Sequence, residues 1–167
     1  IELIRGRRVS RIDTRAHTII ADDGATTKFS ALLLATGSSP VHLPVPGADL
    51  PTVHYLRTLN DSKAIIAATQ TGKRAVVIGA SFIGLEVAAS LRARDISVTV
   101  VAPEALPLER ILGAELGNMV KALHESKGVT FKLGANVKSI TSDAVQLADG
   151  SSLPADFVVV GVGVRPR

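Results

Sequence analysis

The 167-residue sequence predicts an α/β fold in which a doubly wound parallel sheet is accompanied by an antiparallel β-meander. Three observations point there. Between Lys73 and Leu133, short apolar runs alternate with stretches of helical periodicity. One of those runs opens AVVIGASFIGLEVAAS (Ala75 to Ser90), where closely spaced glycines separate an apolar strand from an amphipathic helix. Finally, two segments at an offset of 126 residues share one pattern, and they flank that glycine loop: Ser30 to Pro40 (SALLLATGSSP) matches Asp156 to Pro166 (DFVVVGVGVRP).

The offset also superposes Asp23-Gly24 on Asp149-Gly150, and after a two-residue slip Gly6, Val9 and Ile12 fall on Gly134, Val137 and Ile140. Each copy therefore reads as two alternating strands, a turn at Asp-Gly, and a continuous apolar strand, Leu32-Leu33-Leu34 or Val158-Val159-Val160. Between the copies, Val41 to Asp61 carries Pro44, Pro46 and Pro51 and reads as a connector without regular structure. A helix follows over Asp61 to Thr71, with Asn60 or Asp61 as its cap and Gly72 as its stop. Then come a buried strand (Ala75 to Gly79), a helix (Phe82 to Arg94), a strand (Ile96 to Val101), a helix (Ala114 to Lys127) and a strand (Val129 to Leu133). That β-α-β-α-β order implies a parallel sheet.

In a sheet of this kind the ligand sits beyond the carboxyl ends of the strands, where a helix amino terminus points free N–H groups at an anion. A dinucleotide loop of the G-x-G-x-x-G type asks for three glycines, and Gly79, Ser81 and Gly84 stand at those places. Gly79 makes the tight turn, and Gly84 lets the helix approach the sheet. Ser81 is the mildest departure at the middle position, because its hydroxyl can bond a phosphate oxygen or the helix end. Ile83, Val87, Ala88 and Leu91 recur on one helix face, with Arg92 and Arg94 near the carboxyl end, as the helix dipole favours. The arrangement is Rossmann-like. A hydrolase nucleophile elbow fails on Ile83, where a second glycine is needed, and a phosphate loop at Gly72-Lys73 fails on Arg74 and Ala67.

The end of the second strand, VTVVAPE, selects the dinucleotide. A carboxylate there hydrogen-bonds the adenosine ribose 2′-hydroxyl of NAD, whereas an arginine accepts the 2′-phosphate of NADP. Ala102 holds the expected acid position; Glu104, 25 residues after Gly79, is the nearest carboxylate and favours NAD over NADP, while Arg110 is the nearest cation. Glu86 follows Gly84 by two positions, where a carboxylate gains from the helix dipole whatever else it does. Its functional reading is a place near the nicotinamide end of a bound dinucleotide.

Composition narrows the rest. There is no cysteine, hence no disulfide framework, thiolate metal site or redox-active cysteine pair. His17, His42, His54 and His124 lack ligand spacing, so no metal site is expected. The net charge is +4, but only 3% of residues are aromatic, too few for base stacking, and the arginines are dispersed; nucleic acid is not an expected partner. Arg5, Arg7, Arg8 and Arg11 alternate with apolar residues as the solvent side of a strand does. No window has the roughly 18 consecutive apolar residues of a membrane span, and nothing at Ile1 reads as a leader, so a cytoplasmic protein is expected.

With these residues in place, the chain resembles the FAD-dependent pyridine nucleotide-disulphide oxidoreductases, in the ferredoxin-reductase and apoptosis-inducing-factor-like branch. LLLATGSSPVHLPVPGADLPTVHYLRTL, VVIGASFIGLEVAASL and DFVVVGVGVRP carry the resemblance and frame most of the chain. It implies a nicotinamide domain inserted into a flavin domain of similar fold: residues 1–40 as strands of a truncated FAD domain, 41–72 as connector and helix, 73–160 as the NAD(P)-binding domain, and 161–167 as the return toward the FAD domain. The family's own FAD glycine loop and Gly-Asp motif would precede Ile1 and follow Arg167. By resemblance, Gly79, Ala80, Ser81, Phe82, Ile83 and Gly84 hold NADH, with Glu86 near the nicotinamide and Gly161, Val162 and Gly163 lining the same cleft. Ala35, Thr36 and Gly37 lie against FAD, and Val9 approaches its adenine. The implied reaction is hydride transfer from NADH to FAD and single-electron delivery to a ferredoxin-like iron–sulfur protein, with no acid, base or nucleophile from this chain. The implied partners are the remainder of the FAD domain and the iron–sulfur protein, and homodimer formation is left open. An NAD-sensing module without chemistry, and a structural domain with an empty loop, are the alternatives the residues leave standing.

Overall fold

A computed structural model describes residues 2–167, and the chain divides into two compact units, Ile1–Thr36 and Gly37–Arg167. The first holds β1 (Val9–Asp13), β2 (Thr18–Ala21) and β3 (Thr26–Lys28), an antiparallel meander in that order. Its Asp-Gly turn works as the residue types require. Gly24 adopts φ +82, the Asp23 carboxylate accepts from the Ala25 amide at 3.0 Å, and the Ala21 amide closes the turn on the Ala25 carbonyl at 2.8 Å. The strand expected at Leu32 to Leu34 does not form, and Leu33 is 88% exposed. An apolar strand needs amide partners on its edges and cover on both faces, and no described strand of this unit pairs with the segment.

The second unit begins with β4 (Ser38–Pro40), β5 (Val53–Tyr55) and α1 (Leu59–Thr71). The proline-rich connector thus contains a strand. The cap of α1 also differs from expectation: Thr58 accepts from the Asp61 amide at 3.2 Å, and the Asp61 carboxylate accepts from the amides of Thr58 and Arg57 at 2.6 and 2.9 Å. This reciprocal box satisfies donors on both sides, which neither Asn60 nor Asp61 alone as a cap could do. The amide donors, led by that of Thr58, hold the Asp61 carboxyl below the ordinary aspartate range.

Next come β6 (Arg74–Ile78), α2 (Phe82–Arg92), β7 (Ser97–Ala102), α3 (Glu109–Ser126) and β8 (Val129–Leu133). Gly113 interrupts α3 at φ +78, so the helix proper resumes at the expected Ala114 after a preceding turn that the sequence does not announce. A second meander, β9 (Val137–Ile140), β10 (Ala144–Leu147) and β11 (Ser152–Pro154), leads to β12 (Phe157–Val160) and β13 (Val164–Pro166). Its turn repeats the first residue for residue. Gly150 has φ +87, Asp149 accepts from the Ser151 amide at 2.9 Å, and the Leu147 amide bonds the Ser151 carbonyl at 2.9 Å.

The main sheet is parallel throughout, in the order β5-β12-β6-β7-β8, and β13 pairs antiparallel with β4. Strand alternation sorts the core into two faces. Ala75, Val77, Val98, Val100, Phe157 and Val159 pack against Ile65 of α1 and Val87, Ala88 and Leu91 of α2. Val76, Ile78, Val101, Val158 and Val160 face Ile140, Val145 and Leu147 of the second meander. Helices cover one side and the meander covers the other. Among the described residues no helix is long and apolar enough to cross a membrane.

Asp156 fastens the entry of β12 to the entry of β6. Its carboxylate accepts from the amides of Lys73 and Arg74 at 2.8 and 2.9 Å and from the Arg74 guanidinium at 3.1 and 2.5 Å. The guanidinium first, and the two amides with it, hold the carboxyl at about 2, below its ordinary 3.8. A depressed pKa contributes stability above the unfolded value and loses it as pH falls through the folded one. Asp156→Asn is therefore expected to cost about 1 kcal/mol at pH 6, allowing for solvent screening. That difference from wild type should shrink to near zero between pH 3.8 and about 2, read by urea unfolding at each pH.

Candidate nucleotide-binding site

The site lies where the sheet order reverses. β6 has β7 on one side and β12 on the other, so the chain leaves β6 and β12 in different directions and a crevice opens at their carboxyl ends. Two hydrogen bonds carry the ladders past the strands: the Gly79 amide to the Val101 carbonyl at 2.7 Å, and the Gly161 amide to the Ile78 carbonyl at 2.8 Å. Three glycine backbones then stack on one another. Gly79 has φ +107, and a Cβ on it would stand 2.5 Å from the Gly161 oxygen. One on Gly84 would come closer than that to the Gly79 oxygen, and one on Gly161 would lie 3.1 Å from the Gly84 nitrogen. No side chain fits at the first two places.

Ser81 caps α2 from an extended backbone (φ −82, ψ 175), and its Oγ accepts from the Gly84 amide at 3.2 Å. The same hydroxyl donates to the Gly161 carbonyl at 2.7 Å. Of the alternatives open to this side chain, the helix end is the one taken. The amides of Phe82 and Ile83, ahead of Gly84, have no carbonyl behind them within the helix. They sit at its positive end.

A cleft of about 280 Å³ opens beside this loop, lined by Gly79, Ala80, Ser81, Glu104, Arg110 and Val162 among others. Its far wall is the segment after β7. There Leu108 takes a left-handed backbone (φ +55) while its amide bonds the Ala80 carbonyl at 3.2 Å, and the Glu104 carbonyl accepts from the Gly134 amide at 2.9 Å. The wall is tied at both ends, to the glycine loop and to the end of β8.

Gly79, Ala80, Ser81, Glu104, Gly161 and Val162 are thus brought together on one cleft. Phe82 is half exposed on the first turn of α2, Ile83 packs onto the helix-side core, and Gly84 is buried beneath the loop. Gly163 (φ +114) follows the cleft, and its carbonyl accepts from the Val41 amide at 3.0 Å. Glu86 lines a different groove, between α1 and α2, with Ile65, Val87, Leu91 and Arg94. Val9, half exposed on β1, and the exposed Ala35 and Thr36 belong to the first unit, whereas Gly37 opens the second and its carbonyl accepts from the Arg167 amide at 3.1 Å. Leu108 and Glu109 line the cleft without having been singled out from the sequence. Nothing in an apolar side chain foretells a left-handed backbone. Arg110 was visible as the nearest cation, but its place on the wall follows from the turn that precedes Gly113.

The residues present fit a dinucleotide: a glycine stack that excludes side chains, helix amides at the positive end, and a carboxylate and a guanidinium on the facing wall. Comparison with known proteins agrees. The family model described as "Pyridine nucleotide-disulphide oxidoreductase" matches residues 1–167. Monodehydroascorbate reductase 4, peroxisomal, of Arabidopsis thaliana is 40% identical over 100% of this chain and 36% of its own length. Rhodocoxin reductase of Rhodococcus erythropolis is 39% identical over 100% of this chain and 40% of its own. Among solved structures, the ferredoxin reductase for the CYP199A2 system from Rhodopseudomonas palustris superposes with a TM-score of 0.84 at 38% identity, over 98% of this chain and 42% of that one. Putidaredoxin reductase in its covalent complex with putidaredoxin superposes with a TM-score of 0.80 at 34% identity, over 96% and 41%. The chain spans less than half the length of each of these relatives. Members of the family are FAD- and NAD(P)H-dependent oxidoreductases, and this chain belongs to it, in the ferredoxin reductase-like branch.

Proposed function

We propose that this chain is the NADH-binding part of a flavin-dependent oxidoreductase that passes hydride from NADH to FAD and then delivers electrons to a ferredoxin-like iron–sulfur protein in the cytoplasm. The observation that carries the reading is the close packing of the Gly79, Gly84 and Gly161 backbones at the switch point, which leaves the amino end of α2 open at the mouth of β6. The cofactors supply the redox chemistry when bound, and the protein's own groups bind and orient them. The amides of Phe82 and Ile83 receive the diphosphate, and Glu104 accepts from the adenosine ribose. Gly161, Val162 and Gly163 border the path toward the flavin, and Glu86 serves the nicotinamide end. Ala35, Thr36 and Gly37 serve the flavin, and Val9 its adenine; the remainder of the FAD domain is a partner in the same enzyme.

Glu104 and Arg110 share one wall, so they compete to set the dinucleotide. NADH is expected to bind more tightly than NADPH, and Glu104→Ala to weaken NADH about tenfold while leaving NADPH nearly unchanged, measured by calorimetric titration. Tighter binding of NADPH by the wild-type chain would mean that Arg110 governs the choice. No heat with either nucleotide at millimolar concentration would remove the assignment of the cleft.

A further inference from the structure

Ser81 is the residue by which the loop departs from three glycines, and its surroundings give it a task of its own. Its hydroxyl has one proton, and that proton is donated to the Gly161 carbonyl at 2.7 Å. The Gly84 amide takes a lone pair at 3.2 Å. Gly84 lies in the first turn of α2 and Gly161 follows β12, 80 residues after Ser81 along the chain, so the hydroxyl joins the two edges of the crevice. Around the stack Gly79, Gly84 and Gly161 meet backbone against backbone. Among the described residues, the Ser81 hydroxyl is a side chain that fastens the two segments by a hydrogen bond.

We propose that Ser81 is a positioning residue: its hydroxyl straps the β6–α2 loop to the Gly161 peptide, so that the helix amides and the segment Gly161 to Gly163 form one rigid floor of the cleft. The strap does not contact the diphosphate, because its proton is already committed to Gly161. Its effect on a nucleotide is preorganisation: a loop held in place in the free protein need not be ordered when the ligand arrives. This effect on affinity rests on the nucleotide reading above; the strap itself does not.

The glycine variant separates this proposal from the plain motif reading. Ser81→Gly completes the three-glycine pattern, and glycine is nearly as good a helix cap as serine, so the variant should fold. If the middle position served only close approach of the backbone, the variant would bind NADH as well as wild type or better. The strap predicts the reverse, a loss of roughly fivefold, the worth of one hydrogen bond. Hydrogen–deuterium exchange on the nucleotide-free chain supplies the second readout. The amides that anchor this segment, that of Gly161 on the Ile78 carbonyl at 2.8 Å and that of Val41 on the Gly163 carbonyl at 3.0 Å, should exchange about fivefold faster in Ser81→Gly and in Ser81→Ala, and return toward wild type in Ser81→Thr, which restores a hydroxyl. Unchanged exchange at these amides in the glycine variant overturns the proposal, whatever happens to binding. If wild type does not bind NADH but the exchange responds as described, the nucleotide reading fails and the strap stands.

Discussion

Gly84→Ala is expected to unfold much of the second unit's stability and to abolish nucleotide binding, because the added Cβ has nowhere to go. It would overlap the Gly79 carbonyl oxygen and reach 3.1 Å from its carbon, with the Val77 side chain at 3.5 Å behind. Both nearest atoms are backbone, so a rotamer change cannot relieve the contact. Either α2 lifts from β6 or the tight turn opens, and each displaces the amides of Phe82 and Ile83. Overpacking of this kind costs about 3 kcal/mol or more. The neighbouring glycines predict an order. Gly79→Ala combines a left-handed backbone at φ +107 with a 2.5 Å approach to Gly161, and should cost about as much. Gly161→Ala meets Gly84 at 3.1 and 3.2 Å from an unstrained backbone, and should cost about 1 kcal/mol. Urea midpoints give the order directly. A Gly84→Ala chain as stable as wild type would show that the helix does not rest on the strand end.

The parts of this arrangement that were legible in the sequence share a cause: local signals strong enough to stand alone. AVVIG is a continuous apolar run ended by glycine, and a strand buried on both faces has that composition. β6, α2, β7 and β8 accordingly fall within one or two residues of expectation. The two meanders were legible through Asp-Gly, since an aspartate that bonds two residues on and a glycine at positive φ make the same turn wherever they occur. What was not legible depends on partners far along the chain. β5 has three residues, and only the neighbouring β12, more than a hundred positions later, makes it a strand. Leu32 to Leu34 is the converse, for an apolar run carries strand propensity but acquires no ladder without a neighbour. Within the site, Gly79 and Gly84 were readable from their spacing. Gly161 entered only through family resemblance, although its backbone closes the same stack, because no sequence-local pattern reports a contact made 80 residues away. The job of Ser81 was half legible: the cap is local, and the bond to Gly161 is not.

The connector offers the second large effect, and one that should leave the cleft alone. Gly47 has φ +83, and a Cβ on it would overlap the Ile140 carbonyl oxygen and come within 2.8 Å of its carbon. The closeness is structural. The Ile140 amide donates to the Pro46 carbonyl at 2.9 Å, while Leu43, Val45 and Leu50 pack onto the meander-side core. Tyr55 Oη accepts from the Leu43 amide and donates to the Ala48 carbonyl, each at 3.3 Å. The part of the connector that holds the three prolines, residues 41–52, has no helix or strand and is thereby held along β9, and Gly47 is where backbone meets backbone. Gly47→Ala is expected to cost about 3 kcal/mol, the sum of left-handed strain and overlap, and to lower Tm by about 10 °C. Gly134→Ala isolates the first of these, since Gly134 has φ +67 with nothing within 4 Å of its would-be Cβ, and should cost only about 1 kcal/mol. Because no residue of the connector lines the cleft, the folded Gly47→Ala chain should bind NADH with wild-type affinity below its transition, whereas Gly84→Ala should not. Equal melting temperatures for the Gly47 and Gly134 variants would refute the overlap, and with it the account of how the connector is anchored to the meander.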